Sequence, residues 1–221
     1  MPGSRYEQIE TVVDLMVRLD PRRILDVGVG NGLYGLLARQ YVEGAGPFAR
    51  NGLRVDGIEI FESYLTPVQR TVYDELMVGD VLEILPDIPS GTYDLALALD
   101  VIEHLPDTGG RELLRQLRRV ARHRILTSPR GEFPQGPLFG NVHETHVSEW
   151  PPARMKAAGA ALVIPNPFIS IALFTPDRAF ARYYRRYHRL KRLSVMAPVG
   201  LIARLSSVNR LKEFATRRSP S

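Results

Sequence analysis

Apolar residues near the start of the chain recur at Ile9, Val12, Val13, Met16 and Leu19, spacings of three and four that gather them on one face of a helix. That helix occupies residues 1–20 and stops at Asp20-Pro21. The period then changes. Ile24 to Val27 is a short apolar run that meets glycines at once, the mark of a buried strand and a tight turn, and Leu33 to Val42 returns to helical spacing. The alternation continues with strand Arg54 to Ile60, a helix around Ser63 to Tyr73, and strands Glu75 to Val78 and Tyr93 to Leu99. Helix Arg111 to Ala121 and strand His123 to Thr127 complete it. Strands alternating with helices imply crossover connections and a mainly parallel, doubly wound α/β sheet, with ligands at the carboxyl ends of its strands.

The regular pattern breaks at Pro129 to His146, a stretch rich in Gly, Pro and polar residues and long for a plain connection. We read residues 129–150 as a lid loop over a site. A helix from Pro151 to Gly159 follows. Ala160 to Ile164 and Phe168 to Thr175, joined by Pro165-Asn166-Pro167, then suit a terminal antiparallel hairpin, bringing the sheet to seven strands. Arg178 to Leu193 is again helical, with Arg182, Arg185, Arg186, Arg189, Lys191 and Arg192 among Tyr183, Tyr184 and Tyr187. Met196 to Leu205 is apolar and Arg210 to Arg218 basic. The pattern divides the chain into a domain at 1–177 and a basic helical C-terminal extension at 178–221.

Composition narrows the chemistry. Length 221 suits one α/β domain with appendages, and the absence of cysteine excludes disulfides, thiolate zinc sites and a cysteine nucleophile. No run of 18 or more apolar residues occurs, so a cytoplasmic protein is expected, with membrane association only through the extension. The formal charge of +5 is unevenly spread: residues 178–221 hold twelve Lys and Arg against Glu213 alone, whereas residues 1–177 are net acidic. Such an extension can lie on an anionic membrane, track nucleic acid, or pack on the body or on a second copy in a homodimer.

A glycine turn between strand and helix lets the backbone approach a ligand, and Gly30-Asn31-Gly32-Leu33-Tyr34-Gly35 satisfies the dinucleotide fingerprint G-x-G-x-x-G. The acids argue for another ligand. Asp26 precedes the glycines, where it would repel a pyrophosphate but suit an ammonium. Glu59 ends the second strand, where a carboxylate can accept ribose hydroxyl bonds, and Asp80 and Asp100 end the third and fourth. Four acids around one crevice fit a cationic nucleoside.

At these residues the chain resembles the class I S-adenosylmethionine-dependent methyltransferases. Leu25-Asp26-Val27-Gly28-Val29-Gly30-Asn31-Gly32 is similar to their glycine motif, Asp56-Gly57-Ile58-Glu59-Ile60 to their ribose motif, Val78-Gly79-Asp80-Val81 to the adenine-contacting turn, and Tyr93-Asp94-Leu95 to His104-Leu105 to the fourth-strand motif. The resemblance covers roughly Arg22 to Thr175. It implies a Rossmann-like fold, S-adenosylmethionine as cofactor, and a cofactor site of Asp26, Gly28, Val29, Gly30, Gly32, Glu59, Ile60, Asp80, Val81 and Asp100.

Methyl transfer to a hydroxyl or amine needs a positioned nucleophile and a base. His104 follows the fourth strand, while His143 and His146 lie in the lid loop, so His104 and His146 are the expected catalytic pair for oxygen or nitrogen of a small-molecule acceptor. Asp100-x-x-Glu103-His104 followed by His143-x-x-His146 also resembles the metal-binding pattern of small-RNA 3′-terminal 2′-O-methyltransferases, which implies metal-assisted ribose methylation as an alternative. A nicotinamide oxidoreductase and a non-catalytic adaptor keeping the fold are the remaining alternatives.

Overall fold

The structure, a computed structural model, describes residues 5–44, 52–131 and 133–196. The chain divides into two compact units, Met1–Arg178 and Ala179–Ser221. In the first, strands β1 (Arg23–Val27), β2 (Arg54–Glu59), β3 (Glu75–Val78), β4 (Tyr93–Leu99), β5 (Ala121–Pro129), β6 (Leu162–Ile164) and β7 (Ile169–Phe174) form one sheet in the order β3-β2-β1-β4-β5-β7-β6. The first five run parallel, and β7 runs antiparallel to both β5 and β6. This is the expected seven-stranded, doubly wound sheet with its terminal hairpin. The strand order reverses between β1 and β4, which places the ligand crevice at their carboxyl ends.

The helices are α1 (Ile9–Leu19), α2 (Leu33–Ala38), α3 (Pro67–Val72), α4 (Val81–Ile84), α5 (Asp107–Val120), α6 (Pro152–Ala157) and, in the second unit, α7 (Arg178–Met196). Several boundaries differ from the sequence reading for local reasons. A 3-10 turn, Tyr6–Gln8, precedes α1, which ends where Asp20 turns left-handed with φ 50° and its N–H returns to Met16. The helix expected through Val42 is α only to Ala38 and continues as a π turn to Glu43. The helix expected from Ser63 starts at Pro67, where Thr66 and Gln69 form a reciprocal capping box that fixes the first turn.

Helix α5 begins earlier than Arg111 because Gly109 and Gly110 are helical. A Cβ on Gly110 would lie 2.5 Å from Trp150 Cζ2, so the missing side chain lets this buried ring reach the helix. Leu113, Leu117 and Val120 of α5 are fully buried in one apolar cluster with Trp150 and with Ala96 and Ala98 of β4. Burying one such leucine contributes roughly 1.5–3 kcal/mol, so this layer fixes the strand whose end carries Asp100. Strand β5 runs on to Pro129 because its antiparallel pairing with β7 persists to Ile169. Among the described residues no helix is long and apolar enough to cross a membrane. The segments Met196 to Leu205 and Arg210 to Arg218 lie outside the described residues, apart from Met196 itself at the end of α7.

Candidate active site

A cavity of about 430 Å³ opens at the carboxyl ends of β1, β2 and β4. Its walls are the glycine turn through Asn31, Glu59 and Ile60, the Gly79–Val81 turn, the Leu99–Leu105 segment and the loop after Pro129. Of the expected cofactor residues, Gly28, Val29, Gly30, Glu59, Ile60, Asp80, Val81 and Asp100 line it. Gly28 has φ 76°, and a Cβ there would stand 2.5 Å from Val101 Cγ2, so both conformation and space require glycine.

Asp26 and Gly32 are not on that wall. Strand alternation turns the Asp26 side chain away from the crevice into the protein, where Tyr73 Oη donates to its Oδ2 at 2.5 Å. Burial raises the Asp26 carboxyl to about 7, the Tyr73 bond opposing the shift. The expectation that Asp26 faces a cofactor ammonium is therefore corrected: it supports the turn from behind. Tyr73 Oη also accepts from the Gly35 N–H at 3.2 Å. Gly32 caps α2 in the left-handed region and donates its N–H to Val29 O at 2.8 Å, so it shapes the turn.

The turn's amides decide between ligands. Gly28 and Val29 N–H both donate to Ile58 O, Gly30 N–H to Glu59 Oε2 at 2.8 Å, Gly32 N–H to Val29 O, and Leu33 N–H to Asn31 Oδ1. A diphosphate binds such a turn through free amides at the helix N-terminus. Here five of the turn's donors are spent inside the protein and a carboxylate occupies the Gly30 N–H, so the turn is a poor fit for the pyrophosphate that the G-x-G-x-x-G spacing suggested.

Three of the four strand-end acids face the cavity instead. Glu59 accepts from Gly30 through Oε2 and from Phe61 N–H through Oε1 at 2.9 Å; burial raises its pKa, and the two backbone bonds oppose the rise. Asp80 caps α4 by accepting from the Leu82 N–H at 2.8 Å. Asp100 is held left-handed at φ 56°, with Oδ1 accepting from Thr127 Oγ1 and Oδ2 from Gln8 Nε2 at 2.8 Å. Gln8 is fully buried. The N-terminal turn thus belongs to the site, and Arg5 beside it lines the cavity with its guanidinium 5.3 Å from the Phe133 ring.

The loop after Pro129 forms the remaining wall. It is tied down by His146 N–H to Gln135 O, by Val147 and Ser148 N–H to Glu103 O, and by Tyr64 Oη to Glu144 at 3.0 Å. The half-buried rings of His104 and His146 lie 4.8 Å apart between centroids. His104 Nδ1 faces Thr145 O at 3.1 Å and His146 Nδ1 faces Phe133 O at 2.7 Å. A carbonyl can only accept, so each Nδ1 carries a proton, and in the neutral ring Nε2 is the atom that offers the lone pair. Burial lowers the His104 pKa, which favours the neutral ring.

Glu103 completes the group. Its side chain is 2% exposed, and burial, reinforced by the charge of Asp100, raises its pKa well above the ordinary value, with its own backbone N–H and the Ser128 side chain opposing the rise. One ligand atom from each of Glu103, His104 and His146 lies within 4.8 Å of the others. Asp100 and His143, which the metal-binding pattern also included, are outside this group; Asp100 is engaged by Gln8 and Thr127, and His143 is exposed. Gln8, Arg5 and Glu144 carry no sequence signal that singles them out.

The family model for a methyltransferase domain matches residues 25–124. No curated protein matches the sequence. Among solved structures, a protein from Pyrococcus horikoshii OT3 is 17% identical with a TM-score of 0.54, covering 77% of this chain and 90% of that one. The methyltransferase domain of bacterial CtHen1 is 20% identical, TM-score 0.50, over 76% and 97% of the two chains. The N-terminal domain of EvdMO1, solved with SAH bound, is 14% identical, TM-score 0.51, over 74% and 78%. The chain spans 66% and 55% of two proteins, from Archaeoglobus fulgidus and Nostoc punctiforme, each at a TM-score of 0.49. Residues 25–124 are thus similar to a methyltransferase domain, and the seven-stranded sheet they belong to has the Rossmann-like methyltransferase fold.

Proposed function

We propose that the protein transfers a methyl group from S-adenosylmethionine to an oxygen or nitrogen of a small-molecule acceptor. The observation that carries this reading is a cavity whose glycine turn has spent five of its amides internally, that of Gly30 on a carboxylate, while Glu59, Asp80 and Asp100 face inward. That wall suits a cationic nucleoside and repels a diphosphate. Glu59 would hold the ribose hydroxyls, Asp80 and Val81 the adenine, and Asp100 the ammonium. The cofactor supplies an electrophilic methyl group. The Nε2 atoms of His104 and His146 are placed to take the acceptor's proton, and the loop after Pro129 excludes water from that wall. Calorimetric titration tests the reading. One equivalent of S-adenosylhomocysteine should bind and NAD should give no heat, whereas tight NAD binding alone would restore the oxidoreductase and binding of neither the adaptor.

A second reading, metal-assisted methylation of a hydroxyl such as an RNA ribose, is favoured by the convergence of Glu103, His104 and His146. One carboxylate and two imidazole Nε2 atoms are three ligands of the kind that zinc or manganese takes, with open positions left for an acceptor. Titration of metal-free protein with Zn²⁺ and Mn²⁺ should then show one site whose affinity falls roughly 10²-fold or more in His146→Ala. Equal affinity in the variant would dispose of this reading.

A further inference from the structure

The second unit carries a surface that methyl transfer does not use. Along α7 the rings of Phe180, Tyr183, Tyr184, Tyr187 and His188 contact one another at helical spacing, with centroids 5.8–6.4 Å apart. Tyr183, Leu190 and Leu193 are exposed at 39%, 42% and 59%, and with Tyr187 they fall on one stripe of the helix. Arg186, also exposed, lies within this stripe, Arg182 and Arg189 border it on one side and Lys191 on the other. No acid occurs between Arg178 and Lys212.

We propose that α7 docks on an anionic lipid bilayer, with its apolar stripe entering the headgroup boundary and its basic flanks facing the lipid charges. The argument is complementarity. Nucleic acid would satisfy the arginines and could stack on the tyrosines, but it offers nothing to exposed Leu190 and Leu193. A second copy would cover the leucines but would bring one all-basic flank against another. A bilayer with anionic headgroups is apolar and negative at once, and it is the surface that basic amphipathic helices recognise.

Flotation of the full chain with phosphatidylcholine vesicles, with and without phosphatidylglycerol, tests the proposal. Binding is expected only to the anionic vesicles. The charge-neutral pair Leu190→Gln and Leu193→Gln should weaken it on the order of 10²-fold. Arg182→Gln and Arg189→Gln should each weaken it about 5-fold. Unchanged binding of S-adenosylhomocysteine would show that the variants remain folded. Two results would overturn the proposal: no flotation, with single-stranded RNA bound instead or not, or flotation indifferent to the leucine pair.

Discussion

Replacing Glu59 with alanine is expected to weaken binding of S-adenosylhomocysteine by roughly 10²–10³-fold, the largest effect of any single side chain on the cavity wall. The carboxylate does two things at once. It accepts from the Gly30 and Phe61 N–H groups, which hold the glycine turn against the end of β2, and it faces the cavity where ribose hydroxyls would donate. Each charge-assisted bond contributes about 1.5–3 kcal/mol, so losing a pair of ribose bonds alone accounts for two orders of magnitude. Freeing two partly buried amides loosens the turn and adds to the loss. Glu59→Gln should fall between, because the amide keeps one accepting oxygen but sets an NH₂ against an N–H donor. Glu62→Ala, exposed and three residues along, should leave affinity unchanged. Calorimetry on the four proteins measures this, and a Glu59→Ala affinity within a few-fold of the parent would remove Glu59 from the site.

The sheet was legible because its code is local. Short apolar runs ending in glycine or acid mark parallel strands, and the positions from Ile24 to Leu99 repeat that code faithfully. Boundaries moved where tertiary partners outvoted propensity, as when Trp150 takes the room left by Gly110 and two glycines join α5. The acids at strand ends could likewise be read, but not the direction of each. Asp26 and Gly28 are two residues apart in the same motif, yet one side chain is buried against Tyr73 while the other position faces the cavity. The engagement of Asp100 by Gln8 was hidden for a different reason: the two are 92 positions apart, and an isolated glutamine in an N-terminal turn looks like any solvated residue. The meeting of Glu103, His104 and His146 depended on how a long loop folds back, which its Gly- and Pro-rich sequence leaves undetermined.

Asp26→Asn is expected to stabilise the protein by an amount that grows with pH, reaching roughly 4 kcal/mol above neutrality. The folded carboxyl titrates near 7, whereas in the unfolded chain it ionises at about 3.9. Below that lower value both states are protonated and burial carries no penalty. Between the two values the unfolded chain gives up its proton while the folded protein keeps it, and stability falls by about 1.4 kcal/mol per pH unit until the folded group ionises too. Asparagine cannot ionise, and its Oδ1 can still accept from Tyr73. Denaturant midpoints from pH 4 to pH 8 should therefore diverge up to about pH 7 and then run parallel. A difference that stays flat with pH would mean that the buried carboxyl does not titrate as its surroundings dictate. Repeating the series with S-adenosylhomocysteine separates the two roles this residue could have. If Asp26 only supports the turn, the pH at which the curves become parallel stays where it was; if it faced the ligand's ammonium, that cation would draw the proton off and move the levelling point to lower pH.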